Sequence, residues 1–411
     1  MTKLIVAFSR IYEVVLAFFL LKLVSDLLTP SEFAKLNLFT AITQGIALFF
    51  ISPLQNWILV NNVKAREEKW LSSLLVIEII YTLSISLIAY IVLYFFKSSI
   101  IAYDPMYLVV FIMAIVTPIV MQTIVPIFNI NKLSKIFVSL SITGASLGFI
   151  FPVFFVISIK ANFEIWLLGV YFSQLVVCLL AFKILTSQKI FNVNYKAWQL
   201  RTLPYKNIVK FALPLSIAVG FQWFNAQGFR LQLENYISLT ALGAFIMGFS
   251  FGGKFLNAIE KVFSTVLMPA LYNRGNTVSI KQAWLSYVFK MTIMYVFSTI
   301  ILYFIAASLY KVLIAREYQS GIEFIAAGML FDMFRCILNC IYQYNMIASK
   351  NNLQFIVNAI VTLLISSVIY IVFYYGLSLN IFVYSMPIIM AVVTIVCFTI
   401  NYLDKDKIEN S

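Results

Sequence analysis

The sequence predicts an all-α membrane protein of about twelve transmembrane helices, arranged as two six-helix lobes. Three observations carry this: an extreme apolar composition, a series of apolar runs of membrane-crossing length, and one long polar connection near the midpoint. Of 411 residues, 62% are hydrophobic and 11% charged, against roughly 45–50% and about 25% in an average soluble domain. A water-soluble fold of this length could not hide so much apolar surface. A helix needs roughly 20 apolar residues to cross a hydrocarbon core about 30 Å thick. Twelve such crossings with short connections use the whole chain and leave no room for a soluble catalytic domain.

Apolar runs fall near 4–28, 36–60, 71–95, 106–128, 136–158 and 164–186, then near 208–231, 240–268, 284–308, 319–347, 353–376 and 381–402. The long polar connection, 187–207, carries Lys189, Lys196, Arg201 and Lys206. The expected organisation is therefore an N-terminal lobe over 1–186, a linker over 187–207 and a C-terminal lobe over 208–411 with a short tail. Asp26–Phe39 can be laid over Asn235–Gly248 at an offset of 209 residues, each being a helix end, a short turn and the next helix start. An even number of spans per lobe makes both lobes enter from the same side. That implies a pseudo-twofold axis along the membrane normal, with a central cavity expected between the repeats.

The chain carries 29 Lys and Arg against 16 Asp and Glu. In a soluble protein that excess would suggest nucleic acid; here much of it sits in short loops, so topology explains it first. The N-terminus, the even-numbered connections and the tail hold 17 of these cations, and the odd-numbered connections hold 5 (Lys35, Lys97, Lys160, Lys311 and Arg316). The positive-inside rule then places both termini and the central loop in the cytoplasm. The first apolar run is too long and too charged for a cleavable signal peptide. Prolines recur inside the spans at 53, 118, 126, 152, 214, 269 and 387, each a candidate kink.

No catalytic centre is legible. The chain has no histidine, no nucleophile–base pair, no paired carboxylates, no Walker loop and no metal-ligand cluster. An enzyme, a cofactor and a metal are accordingly not expected. Cys178, Cys336, Cys340 and Cys397 lie inside apolar segments and read as small buried thiols.

Ionisable groups at mid-depth cost at least about 2.5–3.5 kcal/mol each, so they face a wet interior or a partner. Arg10 with Glu13, Lys22 with Asp26, Arg230 with Glu234, and Asp332 with Arg335 are three or four apart and can neutralise one another along one helix. Lys254 differs: its neighbours at three and four residues are Ser250, Phe251, Asn257 and Ala258. Lys261 follows two turns later on nearly the same face. A Lys254–Asn257–Lys261 stripe facing a cavity would attract a phosphate or pyrophosphate by charge and hydrogen bonds. The competing account is an ion pair with another helix, for example to Glu78 or Asp332. Gln222, Trp223, Asn225 and Gln227 in the seventh span suit sugar recognition, amides for hydroxyls and an indole for a pyranose face. Hydrogen bonding between helices would account for them equally well.

Leu27–Ile42 (LLTPSEFAKLNLFTAI), Phe211–Phe224 (FALPLSIAVGFQWF) and Glu234–Gly252 (ENYISLTALGAFIMGFSFG) resemble the lobe signatures of Wzx-type O-antigen and polysaccharide flippases. These belong to the multidrug/oligosaccharidyl-lipid/polysaccharide (MOP) exporter superfamily. The resemblance implies alternating access by two lobes in the bacterial inner membrane. Its cargo would be an undecaprenyl-pyrophosphate-linked glycan, carried from the cytoplasmic to the periplasmic leaflet. It further implies cavity cations at Arg10, Lys22, Lys254 and Lys261 and partnership with the polysaccharide polymerase and chain-length machinery, while Asn257, Gln222 and Asn225 are the sugar contacts expected from their amide chemistry. The chain departs from the pattern at Ala34, where glycine is frequent, and at Gly228–Phe229, where an acidic residue is common. A cation-coupled drug antiporter of the same superfamily would need an acidic pocket. An oligosaccharide polymerase or ligase would need a large outside loop. Neither feature is present in the sequence.

Overall fold

The structure is a computed structural model that describes residues 2–67, 70–95, 105–131, 133–188, 190–191, 204–272, 279–347 and 352–403. All of it is helix and short connection. Twelve long helices run in order: α1 (Thr2–Leu27), α2 (Pro30–Val60), α3 (Leu71–Phe95), α4 (Pro105–Ile130), α5 (Ser134–Ser158), α6 (Phe163–Ser187), α7 (Tyr205–Leu233), α8 (Leu239–Tyr272), α9 (Ile280–Leu313), α10 (Ile325–Ile347), α11 (Asn352–Tyr374) and α12 (Leu379–Leu403). From α2 onward, eleven helical segments are long and apolar enough to cross a membrane. The first helix has the length but carries five charged residues.

Their outward surfaces are those of a protein solvated by lipid. Phe95 and Phe304 are each about three-quarters exposed, at 76% and 75%, on a scale no water-soluble monomer tolerates over so many residues. Because lipid is as apolar as the core, packing and internal hydrogen bonds hold the helices together.

The helices group into two compact units, Met1–Leu28 with Lys35–Trp223, and Thr29–Ala34 with Phe224–Ser411. The chain of α7 thus passes from the first unit to the second at Trp223–Phe224, where the helix widens into a π-turn over Phe224–Gly228. Of the expected 187–207 connection, residues 189 and 192–203 lie outside the described residues.

In the first unit, Trp57 stacks on Trp70 at 5.6 Å over a core that includes Ile58, Leu74, Ile127, Phe128 and Leu185. The Tyr12 hydroxyl meets Ser146 Oγ at 2.9 Å, tying α1 to α5. Pro53 interrupts α2 just after a second π-turn, Ala47–Ile51. There the Tyr81 hydroxyl donates to the Phe50 carbonyl at 3.1 Å. Pro118, Pro126, Pro152, Pro214 and Pro387 also sit inside helices.

The second unit is built on α8, α10 and α12 with the 3₁₀ segment Arg316–Phe324 laid along α8. Phe245 meets Phe324 at 5.3 Å and Phe249 meets Phe331 at 5.4 Å. The Tyr310 hydroxyl donates to the Tyr318 carbonyl at 2.8 Å. The turn Thr29–Ala34 joins this unit through Phe33, edge-on to Tyr318 at 5.8 Å. It also meets Gly243, where a Cβ would collide with the Pro30 carbonyl. The two segments that the sequence lays over one another therefore touch in space.

Candidate functional site

The densest group of polar side chains in the second unit lies where α7, α8 and α10 pack. Its centre is Asp332, which accepts from Arg335 Nε at 2.7 Å and lies against Gly253, a position with no side chain to displace it. Arg335 reaches onward to Asn257 Oδ1 at 3.0 Å. One turn along α10, Cys336 Sγ donates to Glu260 Oε2 at 3.3 Å. From α7, Arg230 donates to Ser250 Oγ at 3.3 Å, one turn before Lys254. Three cations, Arg230, Lys254 and Arg335, thus share this region with two carboxylates, Asp332 and Glu260.

Lys254 stands apart within the group. It is exposed and makes no ion pair or hydrogen bond among the described residues. Both carboxylates that might have quenched it are engaged elsewhere. Asp332 is held by Arg335. Glu78 is buried in the first unit, where it accepts from the Thr123 hydroxyl. Thr123 in turn accepts from Gln55 Nε2 at 3.1 Å.

The remaining expected residues are distributed as follows. Lys22 pairs with Asp26 at 3.2 Å, both side chains about two-fifths exposed. Arg10 and Lys261 lie on α1 and α8, and their side chains are outside the described residues. Asn257 is half-buried and bound to Arg335. Gln222 is half-buried on the part of α7 that belongs to the first unit. Asn225 is buried in the second unit with both ends of its amide used: it donates to the Asn358 carbonyl at 3.1 Å and accepts from Thr362 at 2.8 Å. The neighbouring indole of Trp223 donates to the Ala41 carbonyl at 2.9 Å. All four cysteines are buried and free, as expected. No group of three or more Cys, Asp or Glu among the described residues could hold a metal ion.

Reading the sequence missed the Arg230–Ser250 and Arg335–Asn257 links, since each joins different helices. Asp332 and Arg335 were identified as a local pair by their spacing, and they form one. Removing the anion strands the guanidinium, so Asp332→Asn should destabilise the protein by about 2–3 kcal/mol. That is less than the roughly 3–5 kcal/mol of a fully buried pair, because Arg335 keeps 26% of its side-chain exposure. Thermal unfolding of the purified variant in detergent measures it, and an unshifted midpoint would show that the pair contributes nothing.

No family model and no curated protein sequence matches the chain. Solved structures do. An inward-facing MATE multidrug resistance transporter of the MOP superfamily superposes with a TM-score of 0.72 at 13% identity, covering 97% of both chains. An outward-facing MATE multidrug resistance transporter gives 0.68 at 12% identity, covering 98% of this chain and 95% of the other. A MOP-superfamily transporter from Pyrococcus furiosus, described as having a binding pocket of reverse polarity that suggests a different function, gives 0.66 at 14% identity with 98% and 94% covered. The fold is therefore that of MATE transporters of the MOP superfamily. These neighbours are membrane transporters, and the likeness at this identity is one of fold.

Proposed function

We propose that the protein is a flippase for an anionic lipid-linked oligosaccharide, an undecaprenyl-pyrophosphate-linked repeat unit of a surface polysaccharide. The observation that carries this reading is Lys254, a cation at mid-helix in a transmembrane segment that makes no ion pair among the described residues, set in a region where basic groups outnumber acidic ones. A lone charge there is expensive, and a phosphate-bearing guest offsets that cost by charge-assisted hydrogen bonds. The pyrophosphate would lie against Lys254, with Arg230 of α7 bound to Ser250 one turn before it, while the polyprenyl tail stays in lipid. Asn257, whose Oδ1 accepts from Arg335, would offer its amide N–H to the head group. Arg10, Lys22 and Lys261 would add positive charge, and Gln222 a sugar contact.

Both termini would lie in the cytoplasm and the protein in the bacterial inner membrane, with translocation by alternating access. No nucleotide-binding motif is present, so the driving force would come from an ion gradient, the membrane potential or consumption of the product. The polysaccharide polymerase and chain-length machinery would be its partners on the product side. The Pyrococcus furiosus neighbour of reverse pocket polarity supports separating this chain from drug exporters by charge.

In a deletion strain, undecaprenyl-linked repeat units should accumulate on the cytoplasmic leaflet and disappear when the intact gene is restored. Unchanged surface polysaccharide in a clean deletion would defeat the proposal. A second reading, drug antiport, is favoured by the multidrug resistance neighbours. It would be recognised by raised dye accumulation in the same strain with polysaccharide intact.

A further inference from the structure

On the lipid-facing side of the second unit, α9 and α12 part over α10 to leave a trough of about 650 Å³. That lies within the roughly 300–1,000 Å³ of ordinary ligand pockets. Its lining is hydrocarbon and aromatic, chiefly Leu285, Phe289, Ile337, Ile395 and Phe398, with Ser286 and Thr292 as the small members. Such a slot would by itself carry no message in a membrane protein. What distinguishes it is its end.

One turn before Leu285 stands Lys281, and one turn after Phe398 stands Tyr402. The ammonium of Lys281 lies over the Tyr402 ring, 5.4 Å from its centroid. The ring column Trp284–Phe398–Tyr402, stacked at 5.6 and 6.0 Å, runs along the trough to this cation. Lys281 also sits in the first turn of α9, a helix of 34 residues whose first turn holds no acidic residue. The helix dipole adds to the attraction for an anion at that turn, although Ser279 already accepts the Gln282 amide. From Lys281 to Thr292 the helix rises about 16 Å, close to half of a hydrocarbon core about 30 Å thick. An apolar channel one leaflet deep, closed at the interface by a positioned cation, has the shape and polarity of one phospholipid.

We infer that the trough between α9 and α12 is a resident site for an anionic phospholipid, an acyl chain lying along Phe289 and Ile395 and the phosphate meeting Lys281. This is independent of the transported cargo. The aromatic column holds the lysine in place, so the ordering entropy is paid before the lipid arrives.

The test uses the full chain in phosphatidylcholine vesicles doped with either dibromostearoyl phosphatidylglycerol or dibromostearoyl phosphatidylcholine. Bromine in the trough quenches Trp284, whose contribution is read as the difference between the protein and its Trp284→Phe variant. The phosphatidylglycerol should quench this component about fivefold more effectively, as one lysine at an anionic interface predicts. Lys281→Glu should bring the two lipids to parity, and Ser286→Phe, which fills the trough, should abolish quenching by both. Native mass spectrometry of the purified protein gives a second reading that does not depend on the Trp284→Phe variant folding. Phosphatidylglycerol should remain bound to the wild type and be lost from Lys281→Glu. Equal quenching by the two lipids in the wild type, or a preference that survives Lys281→Glu, overturns the assignment. So does relief of quenching by unlabelled polyprenyl phosphate but not by unlabelled phosphatidylglycerol, which would make the trough a slot for the carrier tail.

Discussion

Lys254→Glu should abolish transport while leaving the amount of protein in the membrane unchanged. At an effective dielectric of 20, two unit charges 4 Å apart interact by about 4 kcal/mol. Losing that attraction alone weakens binding roughly a thousandfold at 1.4 kcal/mol per factor of ten, and the new carboxylate repels the same phosphate besides. Folding should be spared. Among the described residues Lys254 is exposed and takes part in no ion pair or hydrogen bond that its loss would break, and a carboxylate at 254 would stand near Ser250, the partner of Arg230. Lys254→Ala should be milder, since Arg230 remains, and Lys254→Arg milder still. The measurement is restoration of surface polysaccharide in the deletion strain, normalised to immunodetected protein. Full restoration by Lys254→Glu would end the role assigned to this residue.

The sequence made the helices easy to find and their partners hard. Every apolar run became a helix, most with ends within a few residues, as with 106–128 against Pro105–Ile130 and 353–376 against Asn352–Tyr374, because crossing lipid imposes a length that composition displays. The second run, 36–60, starts six residues late against Pro30–Val60. The tenth run hid a change of geometry: 319–347 begins as the 3₁₀ segment Arg316–Phe324 before α10 starts. Nothing in hydropathy separates those two forms. Pairs within one helix, such as Lys22–Asp26 and Asp332–Arg335, were readable from their spacing. Pairs across helices were not. Asn225 finds Asn358 and Thr362 more than 130 residues away, and Glu78 finds Thr123 from 45 residues away. In water an amphipathic stripe would have pointed to the buried face. In lipid both faces are apolar, and the stripe is missing. The repeat was a partial exception. An offset of 209 residues sets Ala34 on Gly243, and the turn containing the first packs on the helix containing the second.

Helix α8 also packs on the Arg316–Phe324 segment, at Gly248, and Gly248→Val should cause the largest loss of folded protein of any substitution considered. A Cβ at 248 would run into the backbone carbonyl of Gly321, and one at 328 into the carbonyl of Phe249. The contact is therefore backbone on backbone at both points, and neither obstacle can rotate away as a side chain would. Overpacking a core ordinarily costs about 1–3 kcal/mol; here the isopropyl group must push the whole segment Arg316–Phe324 off α8, so the upper end of that range is expected. The damage also reaches the polar group. Asn257 and Glu260 on α8 meet their partners only while α10 stays at its present spacing, with Arg335 at 3.0 Å from Asn257 and Cys336 at 3.3 Å from Glu260. Widening the gap strands both Arg335 and Glu260. Transport per folded molecule should fall along with stability, whereas Gly248→Ala should lower both less. Thermal unfolding in detergent, read beside the polysaccharide assay, separates the two effects. Wild-type stability in Gly248→Val would mean that α8 and the Arg316–Phe324 segment are not packed as closely as the structure has them.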